Sequence, residues 1–194
     1  MSIMLRKAII AAVLTAGGCG VALASEFQVG ERYGFGEAAS ESDIAAIDID
    51  VMPDGRGAPE GSGTSAQGED VYMQQCVACH GPDLQGVDGT GGTALIGGRG
   101  SLDSGEPKKT VESYWPYAST FFDYVKRAMP FDAPGSLSDD EVYAVVAYVL
   151  AEGDVIDEDT TVGPHNIGDI EMPNRDGFIR CDQEPCRPDV FNYR

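Results

Sequence analysis

Cys76-Val77-Ala78-Cys79-His80 is the segment of this chain whose residue types and spacing say most about chemistry. C-x-x-C-H is the attachment pattern of c-type haem. On a helix the two thiols lie three residues apart on one face, so both can form thioethers to one porphyrin. His80, one turn beyond Cys76, comes to the same side and can reach the iron as proximal ligand. Gly81-Pro82 follows at once and stops a helix. The segment predicts one covalent haem c, held through Cys76 and Cys79, with His80 on the iron.

Two other chemistries compete for these cysteines. A zinc site could use Cys76, Cys79, Cys181 and Cys186, although about a hundred residues separate the pairs. A thioredoxin-like C-x-x-C needs a βαβ context that this segment lacks. Neither accounts for the adjoining His80.

The first 24 residues resemble an export signal: Arg6 and Lys7 form a basic start, Ala8 to Leu14 an apolar run, and Ala22-Leu23-Ala24 a cleavage site. An uncleaved anchor fits poorly, because the run is short and carries Gly17, Gly18 and Gly20, against the ~20 apolar residues needed to span. Acylation of Cys19 fits poorly too, since Ala16-Gly17-Gly18 before it lacks the usual leucine. Residues 1–24 are therefore expected to be cleaved, giving a soluble periplasmic protein without membrane insertion. The remaining four cysteines would be two for haem and two, Cys181 and Cys186, that can pair in an oxidising compartment. A ring that small contributes only about 2 kcal/mol, a local staple.

The chain holds 13 Lys+Arg against 32 Asp+Glu. Such a charge makes nucleic acid and anionic membrane surfaces poor partners and steers the chain toward a basic surface.

Residues 25–66 are rich in Gly, Ser, Pro and acids, an arm with one short helix near Glu41–Ala46 and a turn-rich linker from Pro53 to Ser65. The core domain is expected over residues 67–152. Its first helix runs from Gln67 to Cys79, with Gly68, Tyr72 and Cys76 on one face. Gly86 to Gly100 holds seven glycines in fifteen residues, which suits backbone pressed against a flat cofactor. No G-K-[S/T] follows, which excludes a phosphate loop. Leu84, Leu95, Ile96 and Leu102 are the apolar contacts expected around the cofactor. Ser119 to Ala128 has helical spacing and ends with Lys126 and Arg127, where cations suit a helix C-terminus. Ser138 and Glu141 form a capping box for a last helix buried through Val142, Val145, Val146, Val149 and Leu150, ending at Gly153. Tyr148 is expected to meet Gly68 and Tyr72 where the first and last helices cross. Residues 153–194 form an acidic C-terminal arm.

The second axial ligand must come from Met52, Met73, Met129, Met172 or His165. Met73 shares the haem-bearing helix and cannot reach the far side, and Met52 sits in linker. His165 and Met172 would require the tail to fold back. Met129, 49 residues past His80 and followed by Pro130, is the expected ligand: proline stiffens the turn that presents the sulfur.

Haem motif, glycine-rich loop, Met-Pro and amphipathic final helix together resemble a class I c-type cytochrome. That resemblance implies an all-α bundle around the haem, with the first and last helices crossing. The family's loop usually carries a proline whose carbonyl orients the proximal histidine. Here Gly92-Thr93-Ala94-Leu95 replaces it and leaves the acceptor open. Residues 41–63, 111–131 and 172–178, including Ser113-Tyr114-Trp115-Pro116-Tyr117 and Asn174-Arg175-Asp176-Gly177, resemble the cytochrome subunit of periplasmic sulfite or sulfane dehydrogenases, the SoxD type.

The resemblance implies an electron-transfer subunit rather than a catalytic one. Its partners would be a molybdenum-containing sulfur dehydrogenase upstream and a cytochrome c downstream. Some members carry a second haem; this chain has one C-x-x-C-H. A free periplasmic shuttle is the plainer alternative, though it needs no long arms. A haem enzyme oxidising thiosulfate is a third, calling for an open or differently ligated iron. A structural zinc-binding adaptor is a fourth.

Overall fold

The computed structural model describes residues 35–178. Its order is α1 (Glu41–Ile47), β1 (Gly63–Thr64), α2 (Ser65–Gln75), α3 (Val77–His80), α4 (Val111–Tyr114), α5 (Ala118–Ala128), α6 (Asp139–Glu152) and β2 (Thr161–Val162). The described residues are all-α apart from one small antiparallel pair, in which Gly63 faces Val162 and Thr64 faces Thr161. No helix among the described residues is long and apolar enough to cross a membrane.

Cap chemistry sets the helix starts. Ser138 Oγ accepts from the Glu141 amide while the Glu141 carboxylate accepts from the Ser138 amide, which opens α6 where expected. Thr64 and Gln67 do the same for α2, and Thr110 and Ser113 for α4. The short helix expected near Glu41–Ala46 is α1, capped by Ser40 and Asp43.

The core is built on α6, whose residues Val142 through Leu150 are all buried. The α2–α6 crossing is close because Gly68 has no side chain. A Cβ there would lie 1.9 Å from the Ala144 carbonyl oxygen and 2.7 Å from Tyr148 Cβ. Beside this contact the Tyr72 and Tyr148 rings stand 5.2 Å apart. On the other flank Phe122 of α5 meets Tyr143 at 4.4 Å between centroids.

One expectation is corrected. The helix read as continuous from Gln67 to Cys79 breaks at Cys76, whose φ of −120° and ψ of −32° separate α2 from α3. The Tyr72 hydroxyl donates to the Gly81 carbonyl at 2.7 Å. In a straight helix nine residues rise about 13.5 Å, beyond a tyrosine's reach, so the bend brings the end of α3 back to Tyr72.

Residues 51–62 and 162–172 of the flanking arms lie against the core. The Val51 amide donates to Asp123 Oδ1 of α5 at 3.1 Å, the Ser62 amide to Asp140 Oδ1 of α6 at 2.7 Å, and the Tyr143 hydroxyl to the Pro59 carbonyl at 2.8 Å. From the C-terminal side Val162, Ile167 and Met172 join the hydrophobic core.

Candidate functional site

Cys76, Cys79 and His80 are brought together by the bent α2–α3 junction. The Cys79 and His80 amides both donate to the Cys76 carbonyl, at 3.1 and 3.0 Å, and Gly81, with φ of +79°, ends the segment. Cys76 and Cys79 are not joined in a disulfide, and both are partly buried.

His80 has a fixed orientation. Its Nδ1 lies 2.8 Å from the Thr93 carbonyl oxygen. A neutral imidazole donating there presents Nε2 as the ligating nitrogen. Thr93 answers the question left by the missing loop proline. Sequence reasoning could not find it, because a main-chain carbonyl carries no residue-type signal.

The glycine-rich loop is tied around the same residues. The Gly86 amide donates to the His80 carbonyl at 2.7 Å, the Val87 amide to the Cys79 carbonyl at 3.0 Å, and Thr90 Oγ1 to the Cys79 carbonyl at 3.1 Å. At Gly92 a Cβ would sit 2.1 Å from the Cys79 carbonyl oxygen, so only glycine allows the loop this close to the motif. Of the expected apolar contacts, Leu84 is fully buried, Leu95 and Ile96 pack on the core, and Leu102 is half-buried.

Met129 ends α5, its amide bonded to the Val125 carbonyl at 3.0 Å, and its side chain is half-buried against the core. The other methionines differ. Met172 is only 3% exposed within the core, whereas Met52 and Met73 are 44% and 49% exposed. His165 lies exposed in the turn after β2. Cys181 and Cys186 fall outside the described residues.

The segments 111–117 and 172–178 meet. Asn174 Nδ2 donates to the Tyr114 carbonyl at 2.7 Å, and the Phe178 ring packs edge-on to Tyr114 at 5.2 Å. The Arg175 guanidinium lies 5.5 Å from the centre of the Tyr117 ring. Trp115 stacks edge-on against Phe121 and Tyr124 of α5.

The residues present fit haem c. Two cysteines not engaged in a disulfide, an imidazole with one nitrogen committed to a carbonyl, and a glycine loop that tolerates no Cβ at its closest point make up the set.

Comparison with known proteins agrees. Residues 63–149 match the family described as cytochrome C oxidase, cbb3-type, subunit III. The crystal structure of the sulfane dehydrogenase SoxCD from Paracoccus pantotrophus aligns at a TM-score of 0.73 and 37% identity, covering 84% of this chain and 79% of that chain. Thiosulfate dehydrogenase of Stutzerimonas stutzeri is 32% identical over 93 residues, 47% of this chain and 28% of the relative. Thiosulfate dehydrogenase of Allochromatium vinosum is 29% identical over 110 residues, 55% of this chain and 34% of the relative. The chain thus spans about a third or less of the length of these two relatives. Its cofactor is covalently bound haem c. With the bent C-x-x-C-H segment, the glycine-rich loop and the α2–α6 crossing in place, the chain belongs to the class I c-type cytochromes, in the group that includes the SoxD type of sulfane dehydrogenase.

Proposed function

We propose that this protein is an exported periplasmic cytochrome that accepts electrons from a molybdenum-containing sulfur-compound dehydrogenase and passes them to a downstream cytochrome c. In this reading residues 1–24 are the export signal, residues 67–152 the haem domain, and Cys181 and Cys186 a disulfide in the C-terminal arm. The observation that carries it is the reach of the SoxCD likeness. It covers 84% of the chain, well beyond the haem domain, at 37% identity. A shuttle has no use for that likeness outside its haem domain. Here the 172–178 segment is held on α4 through Asn174 and Tyr114.

Cys76 and Cys79 would hold the porphyrin through thioethers, and His80 and Met129 would be the residues that supply the iron's protein ligands. When bound, haem supplies a one-electron iron couple. Ligation by His80 and Met129 would leave no open position for substrate, which would suit outer-sphere transfer. The chain's own work is to hold that couple rigidly. Thr93 fixes the His80 ring, and Met129 caps the C-terminal end of α5, a helix packed into the core.

The test is reduction of the purified holoprotein by the co-encoded dehydrogenase with sulfite or a sulfane substrate. The net charge of −19 leads us to expect a basic docking surface on the partner. A transient contact should then slow with added salt as the screening length shortens to ~8 Å at physiological strength. A protein that purifies alone, and that no sulfur substrate with that dehydrogenase reduces, would be a shuttle.

A second reading, a haem enzyme oxidising thiosulfate, draws support from the two thiosulfate dehydrogenases. Their likeness is confined to a stretch making up 28% and 34% of those relatives. Thiosulfate added to the isolated oxidised protein separates the two: no reduction without the dehydrogenase supports the electron-transfer reading.

A further inference from the structure

We infer that Glu112 is a positioning residue for His80: its buried carboxylate holds the far end of the loop whose Thr93 carbonyl orients the imidazole. This rests on the reading of His80 as the proximal ligand.

A carbonyl on a loop orients a ring only as well as the loop itself is held. Thr93 is exposed, and the nearest bond beside it is the one from the Val87 amide to the Gly92 carbonyl at 3.3 Å. Upstream, the loop is anchored on the motif by the bonds from Val87 and Thr90 to the Cys79 carbonyl. Downstream, the Leu95 amide donates to the Leu84 carbonyl at 2.8 Å, and the Leu95 carbonyl accepts from the Val111 amide at 3.0 Å. That second bond brings the loop onto the start of α4. Thr110 Oγ1 adds a bond to the Gly97 carbonyl at 2.7 Å.

Glu112 completes the downstream anchor. Its Oε2 accepts from the Gly97 amide at 2.5 Å, and its Oε1 meets Arg99 Nε at 2.5 Å. Arg99 Nη2 in turn donates to the Gly153 carbonyl at the end of α6. A glutamate whose side chain is only 11% exposed would be costly without such partners. With them it ties the loop to the most deeply buried helix of the fold. The anchored residues Leu95 and Gly97 lie two and four positions beyond Thr93, close enough along the chain to set where its carbonyl points.

The consequence for the iron follows from the ring's second nitrogen. A strong Nδ1–H to carbonyl bond makes the imidazole a better donor and favours the oxidised iron. Loosening the loop weakens that bond, so the reduction potential should rise.

The experiment uses the holoprotein and two variants. Glu112→Gln keeps an acceptor for the Gly97 amide but loses the charge opposite Arg99; Glu112→Ala loses both. The readouts are exchange of the His80 Nδ1 proton, followed by nuclear magnetic resonance in the reduced state, and the midpoint potential. Exchange should quicken in the order wild type, Gln, Ala, by about tenfold for Ala, with the potential rising in the same order. Glu106→Gln, an exposed acid nearby, should change neither. Unchanged exchange and potential in the Ala variant would overturn the inference, even with a lower melting temperature. Should that variant not fold, the near-isosteric Gln variant decides by the same two readouts. Neither readout needs a partner, so a dehydrogenase that fails to reduce the wild type overturns the partner reading and leaves this one standing.

Discussion

The Nδ1 of His80 lies 2.8 Å from the carbonyl oxygen of Thr93, thirteen residues further along the chain. With His80 as the proposed proximal ligand, that bond would select which ring nitrogen faces the cofactor, and it would do so through a group every residue possesses. Thr93→Ala should therefore leave the absorption spectrum and the midpoint potential of the holoprotein unchanged. Stability should stay within about 0.5 kcal/mol of wild type, since the Thr93 side chain is exposed. A displaced potential, measured by spectroelectrochemical titration, would mean that the threonine side chain contributes.

Covalent attachment through Cys76 and Cys79 predicts haem that survives denaturation and acid-acetone extraction, because thioethers are not axial bonds. Cys76→Ala or Cys79→Ala should sharply lower the yield of mature red protein. Haem released intact from the wild type would sink the assignment.

Met129 and Met172 should behave oppositely. Met129→Ala should lower the reduction potential, open the iron to cyanide or carbon monoxide and abolish the sulfur-to-iron charge-transfer band. Met172, buried in the core, should instead report on packing. Met172→Ala is expected to cost about 2–5 kcal/mol in denaturant unfolding while the charge-transfer band stays in place. Loss of that band in the Met172 variant alone would reverse the roles.

Gly68→Ala offers a test whose sign is informative. On helix propensity alone, alanine should stabilise α2 by about 1 kcal/mol. The crossing predicts the reverse, because the new Cβ would sit 1.9 Å from the Ala144 carbonyl oxygen. The melting temperature should fall, with a loss of about 1–3 kcal/mol as α2 and α6 are forced apart. A more stable variant would show that the helices do not cross this closely.

The capping box at Ser138 gives a pH dependence. Hydrogen bonds from the Ser138 backbone and then its side chain lower the Glu141 pKa below its ordinary 4.5. A depressed carboxylate contributes stability that is present above the unfolded value and lost as pH falls through the folded one. Stability measured below about pH 4.5 should thus decline less steeply in Glu141→Gln than in wild type. An identical acid limb in both proteins would remove Glu141 from that transition.

What the sequence by itself determined follows local rules. The thiol and imidazole spacing named the cofactor, the Ser138–Glu141 box and the apolar period placed α6, and Gly68 with Tyr72 marked the face that meets Tyr148. Each of these signals is written in side chains within a turn or two of one another. The tertiary structure decided the rest. It bent the motif helix at Cys76 so that Tyr72 could reach Gly81, and paired Gly63–Thr64 with Thr161–Val162. It chose Thr93 as the partner of His80, and set Glu112 between Gly97 and Arg99. These contacts use main-chain groups, or side chains whose partners lie many residues away. No residue type announces them, and only the packing of α4, α5 and α6 around the loop selects one carbonyl, one amide and one strand from many chemically equal ones.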